Sequence, residues 1–528
     1  MKTAEERVET YLRLHCYEDA TFIAERLYAR KKEPRMLYYL ANCYFQQGDI
    51  LRAYKKLAGT TSNICIESRY LLALSAFKLG KLGCAEETLT ECLSANFVSF
   101  ATYKGNAKKI NVPCGSLGLL LLGKIYRASK KFDEAKACLR FSIANDPYLW
   151  TAYKMLSELG DDVCDTYSSR CNGAVKMQEE TRVNSDGGLG TGESNIFTTL
   201  KLASRGYFHL CNYRCSEALT SFSNLPHRQM NTTWVLDAIG QAYFGLADYI
   251  SAAKTFKKLR QLESVDSTGM ALYSTCLWHL KREIDLSYLA QTVIRQDRKS
   301  PETWCAVGNS FSLQKEHESA LFFFQRAIRV KPTYVYSYTL AGHEYVSNED
   351  FEKAIDFYRQ AIRIDQQHYN AWYGLGTIYF RQEKYQLAHF HIVKAITINR
   401  NSSVLYCYLG MVISCLNPND KANAMAALNK ASELEPSNPT ARYQKALLLS
   451  QMCMYEESLK ELRNVRDFAP REASVRFEIG KLCAKMQCLD EARANFFAAH
   501  DLDPKNGNLY KGYVDKLVGN DMSIDDVL

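Results

Sequence analysis

Histidine is scarce in this sequence, with only 10 residues, and the spacing of the histidines and cysteines does not favour a catalytic site. His209 stands near Cys211 and Cys215, but this arrangement lacks the second ligand pair that structural zinc sites use. His389 and His391 are two positions apart and therefore point to different faces of a helix. We expect that neither group binds a metal.

Phosphate-binding loops and the signatures of nucleophilic enzymes do not stand out in the sequence either. Gly374 and Gly376, in the segment YGLG, fall inside a helical pattern, where glycine suits close packing rather than phosphate binding. No G-x-S-x-G elbow or Cys-His pair is recognisable. The sequence therefore predicts a protein that needs no cofactor and is not an enzyme.

Composition indicates a folded helical protein that binds neither nucleic acid nor membranes. The 528 residues include 66 Lys and Arg against 58 Asp and Glu, a small excess, and no long basic stripe is interleaved with aromatic residues. The longest apolar run, residues 117–122, is far too short to cross a membrane. Eighteen scattered cysteines and a polar first segment favour a reducing compartment, the cytosol or the nucleus.

A period of 34 residues organises most of the chain. Large and small apolar residues recur at this spacing: Trp304, Gly308 and Phe311, then Tyr338, Gly342 and Tyr345, then Trp372, Gly376 and Tyr379. This pattern is typical of tetratricopeptide repeats, in which each unit is a pair of helices joined by a short turn. The small residues let the two helices approach closely, and the large residues fill the space between units.

The repeat predicts an all-α fold, a right-handed superhelical tetratricopeptide-repeat (TPR) solenoid of about 12–14 helix-hairpin units in two arrays. The first array covers residues 1–159 and the second covers residues 196–510. Between them, residues 160–195 are polar and rich in Gly and Ser, which predicts a flexible linker. Residues 511–528 form an acidic tail.

The first helix of each unit faces the groove of such a solenoid, and its outward residues are the candidates for binding a ligand. Amide and hydroxyl groups can bond the backbone of an extended peptide, and aromatic rings can cover its apolar side chains. Asn309 is the strongest candidate, and the carboxylates of Glu302 and Glu344 suit an arginine of the ligand. The full set is Glu302, Asn309, Ser312, Tyr336, Thr339, His343, Glu344, Asn370, Tyr373 and Thr377.

Several segments are more specific than the generic repeat. They include SPETWCAVGNSFSLQKEHESALFFFQRAI, YSYTLAGHEY and HYNAWYGLGTIYFRQEKY, together with YEDATFIAERLYA near the start. These segments resemble the cell division cycle protein 27 family, a tetratricopeptide subunit of the anaphase-promoting complex (cyclosome). The resemblance extends over nearly all of the chain.

The resemblance implies a non-catalytic scaffold subunit of this cell-cycle ubiquitin ligase, found in the nucleus and cytoplasm and on the mitotic spindle. It implies a homodimer formed through the N-terminal repeats. It also implies that the C-terminal repeats bind the Ile-Arg tail of WD40 coactivators, which recruit substrates for ubiquitination. Other tetratricopeptide subunits and small subunits of the complex would be further partners.

Two alternatives remain open at this point. The chain could be another tetratricopeptide scaffold subunit of the same ligase, or it could be a co-chaperone adaptor. An adaptor needs a clamp of Lys, Asn and Arg residues drawn from three units. Asn309 fits one element of that clamp, but Leu340 and Gly374 occupy positions that the clamp requires for others.

Overall fold

Every regular element in the described part of the chain is helical, so the predicted all-α fold is confirmed. The computed structural model describes residues 3–59, 65–91, 99–101, 112–161, 190–263, 268–417, 419–436 and 438–518. The helices are α1 (Ala4–Arg13), α2 (Tyr17–Arg30), α3 (Pro34–Gln46), α4 (Ile50–Ala58), α5 (Ile66–Lys78), α6 (Leu82–Thr90), α7 (Ser116–Ala128), α8 (Phe132–Asn145), α9 (Trp150–Glu158), α10 (Gly190–Cys211), α11 (Cys215–Ser223), α12 (His227–Met230), α13 (Thr233–Gly245), α14 (Tyr249–Leu262), α15 (Met270–His279), α16 (Glu283–Gln296), α17 (Pro301–Leu313), α18 (His317–Val330), α19 (Val335–Ser347), α20 (Phe351–Ile364), α21 (Tyr369–Arg381), α22 (Tyr385–Ile398), α23 (Ser403–Leu416), α24 (Lys421–Leu434), α25 (Pro439–Gln451), α26 (Tyr455–Phe468), α27 (Ala473–Lys485), α28 (Leu489–Leu502) and α29 (Gly507–Val518).

Contacts divide the chain into two units, Met1–Ala242 and Tyr243–Leu528. In the first unit α1 packs on α2, α3 on α4, α5 on α6 and α7 on α8. In the second unit the helices from α15 to α28 form consecutive pairs, each a first helix followed by a second helix. Most of the predicted linker, residues 162–189, and the end of the predicted tail, residues 519–528, lie outside the described residues.

In the four successive pairs from α15 to α22, the turn inside each pair contains one residue with a left-handed backbone. Lys281, Lys315, Glu349 and Glu383 have φ values of 53°, 63°, 60° and 59°, at intervals of 34 residues. This conformation costs about 1 kcal/mol for a residue that carries a Cβ atom. Because different residue types adopt it at the same register, the packing of the helix pair sets the geometry of the turn.

Glycines on the first helices let an aromatic ring of the second helix lie against the backbone. A Cβ atom on Gly308 would lie 2.4 Å from the ring of Phe324, and one on Gly342 would lie 2.6 Å from the ring of Tyr358. Both rings are buried. The predicted packing role of these glycines is confirmed, because a larger side chain would overfill the contact.

Tyr358 joins two adjacent repeats and reaches the face that carries the candidate site. Its ring also contacts the first helix of the following repeat, where a Cβ atom on Gly374 would lie 2.5 Å away. Its hydroxyl lies 2.9 Å from Nδ1 of His343. Gly342 and Gly374 therefore leave room for the buried ring of Tyr358, whose hydroxyl in turn supports His343.

Candidate peptide-binding site

Asn309 is at the centre of a hydrogen-bonded group that links α15, α17 and α19. The side chain is only 4% exposed, and its Nδ2 donates to Ser274 Oγ at 2.9 Å and to Thr275 Oγ1 at 3.0 Å. The hydroxyl of Tyr336 bonds to the same Thr275 at 2.7 Å. Both amide donors are thus occupied, so the carbonyl oxygen is the group that Asn309 can offer to a ligand.

Glu344 is a buried carboxylate, 5% exposed, with a partner on each oxygen. Ser312 Oγ donates to Oε2 at 2.7 Å, and Nδ1 of His317 lies 2.6 Å from Oε1. Ser312 accepts in turn from Nε1 of Trp278 at 3.2 Å. Since each carboxylate oxygen has a second lone pair, Glu344 can still accept a hydrogen bond from a cationic ligand.

His343 lies between these groups and the following repeat. The residue is exposed, and its ring meets the ring of Tyr358 with centroids 5.5 Å apart. The pKa of His343 is lowered to about 4, chiefly because the surroundings solvate the charged ring poorly and secondarily because of His368 and His279. The ring is therefore uncharged at neutral pH, and Tyr358 holds its orientation.

Aromatic rings form the far side of the site. Tyr373 on α21 meets Tyr408 on α23 edge to face, with centroids 5.3 Å apart, and Phe380 approaches the same ring at 6.3 Å. Burial raises the pKa of the Tyr373 phenol, which stays protonated at neutral pH. These rings offer apolar surface with polar edges, a combination that suits an aliphatic side chain of a bound peptide.

The remaining candidates are held by local bonds or stand at the edge. Thr339 is 1% exposed and, like Thr377, donates its hydroxyl to a backbone carbonyl three residues earlier. Glu302 accepts a hydrogen bond from the hydroxyl of Ser300. Asn370 is partly exposed on α21. We name the face formed by α15, α17, α19 and α21, with the residues described above, the first-helix wall.

Sequence reasoning misses Thr275, Trp278 and His317, which complete the bonded groups. Thr275 and Trp278 lie one 34-residue period before Asn309 and Ser312. The repeat register could therefore have identified them, although their own repeat follows the consensus pattern only weakly. His317 begins α18, a second helix, and a rule for first-helix positions does not select it. Only the packing of α18 against α19 reveals its partner.

The residues weighed as metal ligands have other contacts. Nδ1 of His209 lies 3.0 Å from Oε2 of Glu217. Within the described ranges, no group of three or more His, Cys, Asp or Glu side chains is arranged to hold a metal ion. Among the described helices, none combines the length and the apolar character needed to cross a membrane.

Family models match several parts of the chain. Residues 13–92 match the model of anaphase-promoting complex, cyclosome, subunit 3. Models of the tetratricopeptide repeat match residues 118–148, 301–334 and 369–402, and a further repeat model matches residues 342–383. Within the first-helix wall, the matched repeats include α17, α21 and the end of α19.

Curated relatives point to the same family. The chain is 43% identical over 330 residues to cell division cycle protein 27 homolog A of Arabidopsis thaliana, which covers 62% of this chain and 46% of that protein. It is 39% identical over 325 residues to anaphase-promoting complex subunit 3 of Schizosaccharomyces pombe, which covers 62% of this chain and 49% of that protein. The resemblance to the cell division cycle protein 27 family is confirmed. The chain spans about half the length of these relatives.

A human relative and a solved structure add to this picture. The human cell division cycle protein 27 homolog is 47% identical over 137 residues, 26% of this chain and 17% of that protein. The crystal structure of the APC/C hetero-tetramer Cut9-Hcn1 matches with a TM-score of 0.66 at 17% identity, over 97% of this chain and 95% of that chain. At this identity the match shows the fold alone, and it confirms the tetratricopeptide-repeat architecture.

Proposed function

We propose that this chain is a non-catalytic scaffold subunit of an anaphase-promoting complex. Its first-helix wall binds the C-terminal Ile-Arg tail of WD40 coactivators and so brings substrates to the ligase. The similarity to subunit 3 proteins supports the assignment to this complex. Other subunits of the complex would then be further partners, and the chain would work in the nucleus and cytoplasm and on the mitotic spindle.

The buried carboxylate of Glu344 is the observation that carries the tail-binding proposal. A terminal arginine brings a guanidinium that pairs with a carboxylate through charge-assisted hydrogen bonds, which are about twice as strong as neutral ones. Asn309 presents a carbonyl oxygen for an N–H group of the tail, as its bonds to Ser274 and Thr275 leave this acceptor. The rings of Tyr373 and Phe380 offer apolar contact for the isoleucine.

The test is fluorescence anisotropy with the full chain and a labelled peptide ending in Ile-Arg. We expect Glu344→Gln to weaken binding at least tenfold, because the neutral amide keeps the shape but loses the charge. Glu318→Gln is the matched control, because it removes the same charge from an exposed position on α18, the helix that precedes α19. Equal affinity of the Glu344→Gln variant and the unaltered chain would remove Glu344 from the site.

A peptide ending in Glu-Glu-Val-Asp separates this proposal from the co-chaperone alternative. The carboxylate of Glu344 would repel such an acidic tail, whereas an adaptor would require it to bind. We therefore expect binding of the Ile-Arg peptide and none of the acidic peptide at the same concentrations. The reverse result would favour the adaptor function.

We further propose that the chain forms a homodimer through residues 1–159, in line with its family resemblance. Multi-angle light scattering of the full chain should then give twice the mass of the 60.2 kDa monomer. A monomer at micromolar concentration would contradict this part of the proposal and leave the tail-binding site untouched.

A further inference from the structure

A second groove lies on the other helices of the same unit, between α14 and α16. Its volume is about 570 Å³. Lys254, Lys257 and Gln261 line it from α14, and Tyr288 and Thr292 line it from α16. These positions follow the spacing of a single helix face, so each helix contributes a continuous wall. We name this site the second-helix groove.

Positive charge dominates the second-helix groove. Lys254, Lys257, Arg260 and Arg282 line it, against the single carboxylate of Asp285. Among the described residues, none of these four cations has a carboxylate oxygen within 4.0 Å. Elsewhere in the same unit, exposed cations do pair: Lys353 lies 2.7 Å from Asp350, for example. The groove therefore carries a local excess of charge that an anionic ligand would neutralise.

Arg260 departs from the repeat pattern of this chain. At the same register, the following repeats carry an aliphatic side chain that packs against the hydrophobic core; these residues are Ile294, Ile328, Ile362 and Ile396. Arg260 is half-buried at this position, and its guanidinium lies 5.9 Å from the ring centroid of Tyr288. A position that packs against the core in the other repeats thus carries a charged side chain that lines the groove.

Arg282 adds a second cation at the beginning of α16. The flanking repeats have acidic residues at this register, Asp248 and Glu316, and the side chain of Asp248 caps its helix by accepting from the N–H of Ser251. Arg282 makes no capping bond, and its charge opposes the dipole of α16. Lys384 shows that a cation is tolerated at this register, so the distinctive feature of the groove is the combination of Arg282 with Arg260.

The two guanidinium groups act on the same part of the groove. Burial raises the pKa of Tyr273, and Asp285 raises it further, whereas both Arg260 and Arg282 lower it. The cations contributed by α14 and by the turn before α16 are thus close enough to act on one phenol. A ligand that enters at Tyr273 would meet both of them.

We propose that the second-helix groove binds a carboxylate-rich peptide segment of a partner protein. From Lys254 to Gln261 the α14 wall extends roughly 10 Å, so its charges suit several spaced carboxylates better than one phosphate group. Asp285 would repel a nucleic acid, which carries a phosphate at every step, but it can accept a hydrogen bond from a peptide N–H. This proposal is independent of the first-helix wall.

The test uses the full chain and a fluorescein-labelled peptide of repeated Glu-Asp-Gly, with anisotropy as the readout. We expect saturable binding that Arg260→Ile weakens about fivefold and that the pair Lys254→Glu and Lys257→Glu weakens more than tenfold. Arg260→Ile should fold normally, because isoleucine fills this register in the other repeats. A thermal melt by circular dichroism checks this expectation.

Arg363→Glu is the matched control, because Arg363 is exposed on the second helix α20, outside the groove. We expect this variant to bind the acidic peptide like the unaltered chain. Unchanged binding by a folded Arg260→Ile variant would overturn the proposal. Tighter binding of a single-stranded oligonucleotide, or of a phosphoserine peptide with the same net charge, would assign the groove to that ligand instead.

Discussion

The first-helix wall and the second-helix groove belong to the same unit, yet they balance their charges differently. In the wall, the carboxylate of Glu344 is buried and bonded to Ser312 and His317. In the groove, Lys254 and Lys257 are exposed, and within the described ranges no carboxylate oxygen lies within 4.0 Å of either. One surface satisfies its polar groups internally, and the other leaves them to the solvent or to a ligand.

This contrast follows from the energetics of burial. A buried polar group without a partner costs about 1–3 kcal/mol, so the wall must contain a bonded network before any ligand arrives. Exposed lysines face no such requirement, and their charge acts on a partner from a distance. We therefore expect substitutions in the wall to change stability and affinity together, and substitutions in the groove to change affinity alone.

The largest expected effect concerns Tyr358, which supports the wall from behind. Tyr358→Ala removes a fully buried ring between two repeats and should lower the free energy of unfolding by about 3–5 kcal/mol. Tyr358→Phe keeps the ring but loses the bond to His343, so its effect should be about 1 kcal/mol. Urea denaturation measures both. Similar losses for the two variants would mean that the hydrogen bond, not the packing, supports the wall.

Asn309→Ala and Arg260→Ile compare the two surfaces directly. Asn309 donates hydrogen bonds to Ser274 and Thr275, so its side chain supports the fold as well as the binding site. We expect Asn309→Ala to lower the free energy of unfolding by about 1–2 kcal/mol and to weaken binding of the Ile-Arg peptide. Arg260→Ile should leave stability unchanged or raise it. Equal destabilisation by both variants would contradict the proposal that only substitutions in the wall reduce stability.

The smallest effect is a dependence of stability on pH that arises behind the wall. His391 stacks on Tyr379 with centroids 5.2 Å apart, and its pKa is lowered to about 4, chiefly by desolvation and then by Arg359. Its unfolded pKa is about 6.5. Since the folded protein favours the neutral ring, stability is complete above pH 6.5 and falls as the pH approaches 4.

Between pH 7 and pH 5.5 we expect a loss of about 1 kcal/mol from this residue. His391→Phe keeps an aromatic ring and should make the curve of stability against pH less steep, although His343, whose pKa is also lowered, still contributes to the slope. His227→Gln, at an exposed site, should leave the slope unchanged. Identical slopes for the two variants would exclude this role of His391.

Much of the fold and part of the site follow from periodicity. The spacing of Gly308 and Gly342 indicates close helix contacts, and the structure places a buried aromatic ring against each. The same register identifies Asn309 and Glu344 as residues of one face. It does not indicate that both are buried, because burial depends on the neighbouring helices α15 and α18 that supply their partners.

The sequence by itself determined the helical class, the 34-residue unit and the family resemblance, since all of these depend on residue type at fixed spacing along the chain. Only the tertiary structure decided which polar groups are already bonded and which remain open to a ligand. A hydrogen bond such as that between Asn309 and Ser274 joins residues 35 positions apart, and its distance depends on how two helices pack. For the same reason, Arg260 and Arg282 are recognisable as parts of one groove only after α14 and α16 have both packed on α15.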